Sequence, residues 1–565
     1  MGNRNNMFVR KTKKPNDRIS IRIVENYRDG GKVKQRTITG IGTAHKDDTK
    51  RIEHLIRVAN EMIVKIKNDI TPALPGLEEA TYAPQKKEEK KTVVAIEDLV
   101  EEKRITTGID EIFNEVFQQM DLLNSINTGY KQEEVNELFQ RCVIERVENP
   151  VSKRQSVKNM HTKKGISIDL DKVYRMMDKV YKNKDRIKKK ISDVTINLFN
   201  QKVDVAFFDV TTLYFESFIP DDLKSSGFSK DGKFKETQIM LSLITTTDGL
   251  PLGYEIFPGN SYEGNTLITV IEEVEKNYNL SNTFVVADRA MFTETNLKKL
   301  EQKNVKFIVA AKLKTMKKEK KNQILNDFEE LRKQYPKEDF LLKEYTHNKR
   351  RLIVSYSKKR AAKDKKDRER LVERIKKKMK GEKVLLADLI NNTGTKKYLD
   401  IEKKSETKKK NCSTTAILSH KKIEAHERWD GIHAVITSDS GQEYSATEIL
   451  DRYRNLWQIE AAFRINKHDL KMRPIYHWTP KRIHAHILIC FVAYSLVAFA
   501  KYKLKKHQVK LSFQQIREEL EQVQYSVVRD KVNNQKFLIP SALTKNQQKI
   551  FKAFGLKLAS TPKIL

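Results

Sequence analysis

Between Lys202 and Lys312 five short apolar runs alternate with turn and helix signals, and that order leaves few folds open. VDVAFFDVTTLYFES predicts a strand. QIMLSLITTT and PLGYEIF predict two more, joined by a turn at Asp248-Gly249. A helix from about Asn265 to Lys276 leads to the strand TFVVA, and a second helix, starting near Thr293, leads to VKFIVAAK. Apolar strands bounded by helices and turns predict an α/β fold, with a mixed sheet buried beneath helices on its faces. The first run ends in Asp209 and the fourth in Asp288. One acid at a strand end is ordinary, because Asp begins many loops. Two are harder to dismiss.

Acids in these places suit metal chemistry on phosphodiesters. Two hard cations about 3.5 to 4 Å apart activate an attacking oxygen and stabilise a leaving one, and Mg²⁺ and Mn²⁺ prefer carboxylate ligands. A third carboxylate usually completes such a site, and Glu460 is the candidate. It lies in the stretch Ser445 to Trp478, which reads as one long helix: Ser445 and Glu448 have the form of a capping box, and neither Gly nor Pro intervenes before Pro474. At about 100° per residue, Tyr453, Trp457, Glu460, Arg464 and Lys467 fall on one stripe. The alternative is a helix edge with solvated ion pairs. Trp457 fits either a stacking surface for a displaced base or, between Leu456 and Ile459, a core position. Zinc is disfavoured, because His and Cys show no ligand spacing, and His484 and His486 read as helix surface or packing. The absence of a P-loop argues against ATP-driven chemistry.

A length of 565 residues predicts three or four compact units. The 110 Lys and Arg against 75 Asp and Glu give a formal net charge of +35, which predicts a polyanionic partner, most simply nucleic acid. Three scattered cysteines, Cys142, Cys412 and Cys490, argue for a reducing cytoplasm rather than a disulfide framework. MGNRNNMFVRKTKK lacks the apolar centre of a secretory signal. The run Ile487 to Ala500 is too short to span a bilayer and predicts a buried helix, so no membrane association is expected.

Residues 1–92 carry a hairpin signal around Arg28-Asp29-Gly30-Gly31, a helix-like segment from Asp47 to Lys67, and a linker, Thr71 to Lys91. Residues 93–200 show helical spacing with basic polar faces, which suits DNA binding or a solvated surface. The 201–312 region is the first part of the sheet-forming core and 430–505 the second. Between them, 313–429 is read as an insertion with the strand RRLIVSYS and a highly charged helix, Lys358 to Lys380. The tail, 506–565, is amphipathic and without a motif.

Several of these segments resemble, in order, the DDE transposases of bacterial insertion sequences. Asp209 in DVTTLYFES, Asp288 in VVADRAMF, and Tyr453, Glu460 and Lys467 in YRNLWQIEAAFRINK are similar to the branch with a Tyr-Arg-Glu-Lys signature. GLPLGYEIFPGN, WDGIHAVITSD, RPIYHWTPKRIHAHILICFVAYSL and the opening MFVRKTK extend the likeness over most of the chain. The resemblance implies a ribonuclease-H-like catalytic core interrupted by an insertion that grips a DNA end. It also implies two Mg²⁺ or Mn²⁺ ions on Asp209, Asp288 and Glu460, phosphate contacts from Tyr453 and Lys467, a homodimer in the active complex, and cut-and-paste chemistry at inverted repeats. Two positions depart from the pattern: Leu456 stands where the signature has Arg, and Ala290 where Gly usually follows Asp-Arg. Arg464, on the same stripe, is placed to substitute for the missing Arg. The alternatives are a ribonuclease-H-type nuclease without strand transfer and an inactive DNA-binding descendant.

Overall fold

A computed structural model describes the chain apart from residues 1–6, 15–16, 30–31, 69–93, 128, 130, 198–204, 217–218, 228–235, 262–265, 273–282, 288–291, 380–382, 386–393, 402–414, 441–442 and 558–560. Contacts divide it into two units, Met1–Val93 and Val94–Leu565.

In the first unit, β1 (Met7–Lys14), β2 (Arg18–Asp29) and β3 (Lys32–His45) form an antiparallel sheet, joined by α1 (Thr49–Asn68). The hairpin read from the sequence thus gains a third strand, β1. Alternate residues Ile19, Ile21 and Ile23 point to one face of β2, where they meet Ile52, Leu55, Ala59 and Ile63 at helical spacing on α1. Pairing of Arg28 with Val33 and Asp29 with Lys32 brackets Gly30 and Gly31, which lie outside the described residues, as does the linker Thr71 to Lys91.

The second unit opens with a strand where helix was expected, β4 (Leu99–Thr106). Five helices follow: α2 (Gly108–Gln119), α3 (Gln132–Glu148), α4 (Lys153–Lys164), α5 (Leu170–Lys182) and α6 (Lys184–Asn197). Next come β5 (Val205–Tyr214), β6 (Gln238–Thr245), β7 (Pro251–Pro258), α7 (266–272), β8 (Phe284–Ala287), α8 (Glu294–Gln302) and β9 (Lys306–Ala310), in the order the sequence predicts. Gly249, at φ +75°, makes the β6–β7 turn, a conformation that favours glycine.

Then come α9 (Lys318–Gln334), β10 (Phe340–His347), β11 (Arg350–Ser357), α10 (Lys358–Lys378), β12 (Lys383–Leu385), β13 (Leu399–Ile401), β14 (Thr415–Leu418), α11 (His420–Glu427) and β15 (Ile432–Thr437). Among the described residues the large sheet has eight strands, ordered β10-β11-β15-β9-β8-β5-β6-β7, with β5, β8 and β9 mutually parallel. The stretch 313–429, read from the sequence as an insertion, contributes strands to this sheet. RRLIVSYS is β11, hydrogen-bonded to β15, so β10 and β11 continue the large sheet instead of leaving it. Only β12, β14 and β13 form a separate small sheet, beside a local core of Ile375, Tyr398, Leu399 and Ala416.

The chain ends with α12 (Ala446–Arg454), α13 (Trp457–Arg464), α14 (Pro480–Lys506), α15 (Phe513–Glu521), β16 (Gln524–Asp530), β17 (Lys536–Pro540), α16 (Lys545–Phe554) and β18 (Lys563–Ile564). The tail, amphipathic and without a motif, pairs with the start of the unit in the sheet β18-β17-β16-β4.

Period-2 alternation gives the large sheet two apolar faces. Phe207, Phe284, Val286 and Ile308 join α13 and α14 in one core, while Phe208, Val285, Phe307 and Val309 join α8 and α9 in the other. Helix α14 is long and apolar enough to cross a membrane, but 89% of its most apolar window is buried inside the protein, against α2, α3, α5, α6 and β7. The expected buried helix is therefore present and longer than its apolar run.

Candidate active site

The parallel register of β5 and β8 pairs Phe208 with Ala287, and β8 in turn pairs Ala287 with Val309 of β9. Asp209, the next residue on β5, sits opposite Leu243 of β6 and is half-buried, with Oδ1 accepting from the Val210 N–H at 2.7 Å. Period 2 puts residue 209 on the face of Phe207 and Leu213, the side on which α13 packs against β5 and β6. Asp288 follows Ala287 in sequence; it and Ala290 lie outside the described residues.

The single long helix expected over Ser445 to Trp478 is broken. The capping box at Ser445 and Glu448 forms and starts α12. At Asn455 and Leu456 the hydrogen bonds tighten: the N–H of Leu456 donates to Tyr453, that of Gln458 to Asn455 and that of Ile459 to Leu456, each three residues back. Such bonds wind the backbone at about 120° per residue instead of 100°. After α13 the chain loosens into a π-turn, Ile465–Asp469, closed by Leu470 N–H donating to Ile465 O over five residues. Beyond it, the stretch to Trp478 is not helical. One 100° stripe therefore cannot run from Tyr453 to Lys467.

What survives is the part of the stripe within α13. Ile459, Ala462 and Phe463 are buried against the sheet, while Trp457 (56% exposed), Glu460 and Arg464 face solvent together. Tyr453 lies on the other side of the break, half-buried, its ring 5.5 Å from that of His433 on β15. Burial, then Arg360 and Arg454, pushes the His433 pKa down to about 4. Lys467 is half-buried on the π-turn. Arg454 donates to Asp451 at 2.9 Å and lies 4.9 Å above the Phe340 ring, engaged away from α13. His486 is buried and its Nε2 bonds to Met472 O, which is the packing role expected for it.

Sequence reading assigned no role to the irregular segment after the π-turn. Arg473 stacks 5.0 Å over Tyr214 at the far end of β5, and Tyr476 and Trp478 are exposed beside it, with Lys224 donating to Trp478 O at 3.2 Å. Without periodicity in RPIYHW, only its density of aromatic and cationic residues hinted at a surface role.

Among the described residues, no three His, Cys, Asp or Glu side chains form a metal-holding group; Asp288 is not among the residues so tested. The donors that are described, Asp209 and Glu460, are carboxylates, which suits a hard cation better than zinc.

Strand β5 thus carries one acid and the helix packed over it another, and comparison with known proteins names the class. Residues 201–496, more than half the chain, match the family described as "Transposase DDE domain", and the chain belongs to that family. Residues 8–73 match "IS1634 family transposase, N-terminal domain", so this is a DDE transposase of the insertion-sequence type. Members of the family generally use divalent metal ions. No curated protein matches the chain. Among solved structures, it is similar to the "Mos1 transposase paired-end complex with left transposon end" at 11% identity, covering 45% of this chain and 66% of that one with a TM-score of 0.14, too low to carry structural argument.

Proposed function

We propose that this transposase binds the terminal inverted repeats of its own insertion sequence and moves it by cut-and-paste chemistry. It belongs, on this reading, to the Tyr-Arg-Glu-Lys branch, with a ribonuclease-H-like core, and acts in the cytoplasm on chromosomal DNA. The observation that carries the reading is helix α13 lying on the Asp209 face of the sheet, with Trp457, Glu460 and Arg464 turned to solvent. Asp209, Asp288 and Glu460 would hold two Mg²⁺ or Mn²⁺ ions. When bound, such a pair activates the attacking oxygen and stabilises the leaving one. Arg464, Tyr453 and Lys467 hold backbone phosphates, and Trp457 offers an aromatic surface to a displaced base. Hydrolysis at the element end frees a 3′-hydroxyl, which attacks the opposite strand, closing a hairpin and releasing the flanking strand with its own 3′-hydroxyl; a second hydrolysis opens the hairpin, and the regenerated 3′-hydroxyl attacks target DNA, displacing a target 3′-oxygen. The working assembly is a homodimer on paired ends.

The test is cleavage of a plasmid carrying the element ends by Asp209→Ala, Asp288→Ala and Glu460→Ala variants. Each should lose metal-dependent cleavage and keep binding to end DNA, because phosphate contacts elsewhere position the duplex. Near wild-type cleavage by any one variant removes that residue from the ligand set. Cutting without joining to target would make the protein a nuclease instead.

A further inference from the structure

We infer that the cleft at the carboxyl end of β9 binds a phosphoryl group, gripped by Lys314 and Lys397, which His426 holds together. The cleft has a volume of about 380 Å³ and lies between the end of β9, the start of β15, α10, α11 and the turn Thr395–Tyr398. Lys314 stands on the short turn after β9, and Lys397 on the turn before β13. Both ammonium groups converge on His426 Nε2, Lys314 at 2.7 Å and Lys397 at 3.5 Å, while Tyr398 OH, 3.4 Å from Nδ1, fixes the other side of the ring.

The charges around this cleft are unevenly matched. Its three acids each have an arginine: Asp364 has Arg360, Asp367 has Arg370, and Asp430 has the buried Arg368. Among the described residues, no carboxylate lies within ion-pair distance of Lys314 or Lys397. Two cations held against one neutral acceptor repel each other, and the strain appears in their protonation. Burial, then Lys314 and Lys397, pushes His426 down to about 4; Lys314 is lowered by burial and then Lys397, and Lys397 by burial and then Arg368. An arriving anion would relieve the repulsion and accept charge-assisted hydrogen bonds from both ammonium groups.

The position favours a particular source. Strand β9 neighbours β8, which neighbours β5, so the cleft opens at the same end of the sheet as Asp209, at least two strand spacings or about 10 Å along it and toward the other face, that of Leu313, Ile432 and Ala434. A duplex engaged at Asp209, with a rise of about 3.4 Å per nucleotide, would bring to the cleft a phosphate a few nucleotides from the cut. A free phosphate shares the chemistry. Only the DNA source rests on the function proposed above.

The test uses full-length protein, wild type against Lys314→Gln/Lys397→Gln and the single Lys314→Gln; both lysines are exposed, so folding should survive, as circular dichroism would check. In one arm, the salt dependence of binding to end duplex should become shallower by about 0.9 in log–log slope for the phosphate lost in the double variant. A single methylphosphonate scanned along the duplex should weaken wild-type binding at one position and leave the double variant indifferent there. In the second arm, inorganic phosphate should raise the thermal midpoint of wild type but not of the double variant if the site takes a free anion. Either arm behaving so supports the site and identifies its source. Identical behaviour of wild type and variant in both arms overturns it. If wild type fails to bind end duplex, the transposase reading fails, and the phosphate arm still decides the cleft.

Discussion

Replacing Arg464 with Ala should slow strand cleavage by about one to two decades, because a charge-assisted phosphate contact contributes roughly 1.5 to 3 kcal/mol and each 1.36 kcal/mol off a barrier is tenfold. Arg464 is four residues beyond Glu460 on α13, about 6 Å along the axis and on the same solvent-facing side. A phosphate adjoining one held near Glu460 is within reach of a guanidinium there. Arg454 is the control. It belongs to α12, before the tightened turn, and is already engaged by Asp451 and Phe340, so Arg454→Ala should change cleavage less than about threefold, the scale of an exposed ion pair. Leu456→Arg, which would restore the signature residue, should lower activity rather than raise it. Leu456 is half-buried and packs against the core at the start of α13, and a guanidinium there displaces that packing. The assay is single-turnover conversion of a supercoiled plasmid carrying both element ends, in Mg²⁺. Equal losses in Arg464→Ala and Arg454→Ala, or no loss in Arg464→Ala, would refute the assignment of the α13 face to DNA.

Three further outcomes test the fold around this site. Tyr494→Phe removes the hydrogen bond that the buried Tyr494 OH donates to Gly249 O at 2.6 Å, and should cost about 1 to 2 kcal/mol, read as a lowered urea midpoint. Asp430→Ala leaves the buried Arg368 guanidinium without its main partner and should cost roughly 3 to 5 kcal/mol, whereas Asp430→Leu with Arg368→Leu should cost much less, both read from thermal melts. Burial, then Glu148, raises the Glu145 pKa from 4.5 to about 7, so between these values the folded state holds a proton that the unfolded chain has released. Stability from this group therefore falls as pH rises from about 4.5 to 7, by an amount on the order of 2 to 3 kcal/mol, and Glu145→Gln should flatten that slope in melts across the range.

The strands around Asp209 were legible because each is a short apolar run with its own turn or helix boundary, information that lies within a few residues of the strand itself. The hairpin at Gly249, the buried α14 and the capping box at Ser445 were legible for the same local reason. The misreadings fall where the determining contacts are distant. β4 is a strand because it pairs with β16, with Leu99 opposite Asp530, and nothing within LVEEKRIT reveals a partner from the far end of the chain. RRLIVSYS was recognised as a strand, but the sheet it joins is decided by β15, since Leu352 pairs with Ile436.

The broken helix is a different case. Neither Gly nor Pro marks the break at Asn455 and Leu456, and the φ and ψ angles there, −79° and 3° then −56° and −26°, lie only tens of degrees from helical values. Shifts that small change no propensity, yet a residue wound three to a turn advances the azimuth by about 20° more than a helical one, and Asn455 and Leu456 together turn everything downstream by roughly 40°. Side-chain direction is thus far more sensitive to winding than secondary structure is. Glu460 keeps its relation to Trp457 and Arg464 because all three share the intact helix α13, and loses it to Tyr453 because the break at Asn455 and Leu456 lies between them. A stripe read at constant pitch holds only as far as the winding is constant: Glu460 and Arg464 share one face of α13, while Tyr453 stands apart from it, against His433 of β15.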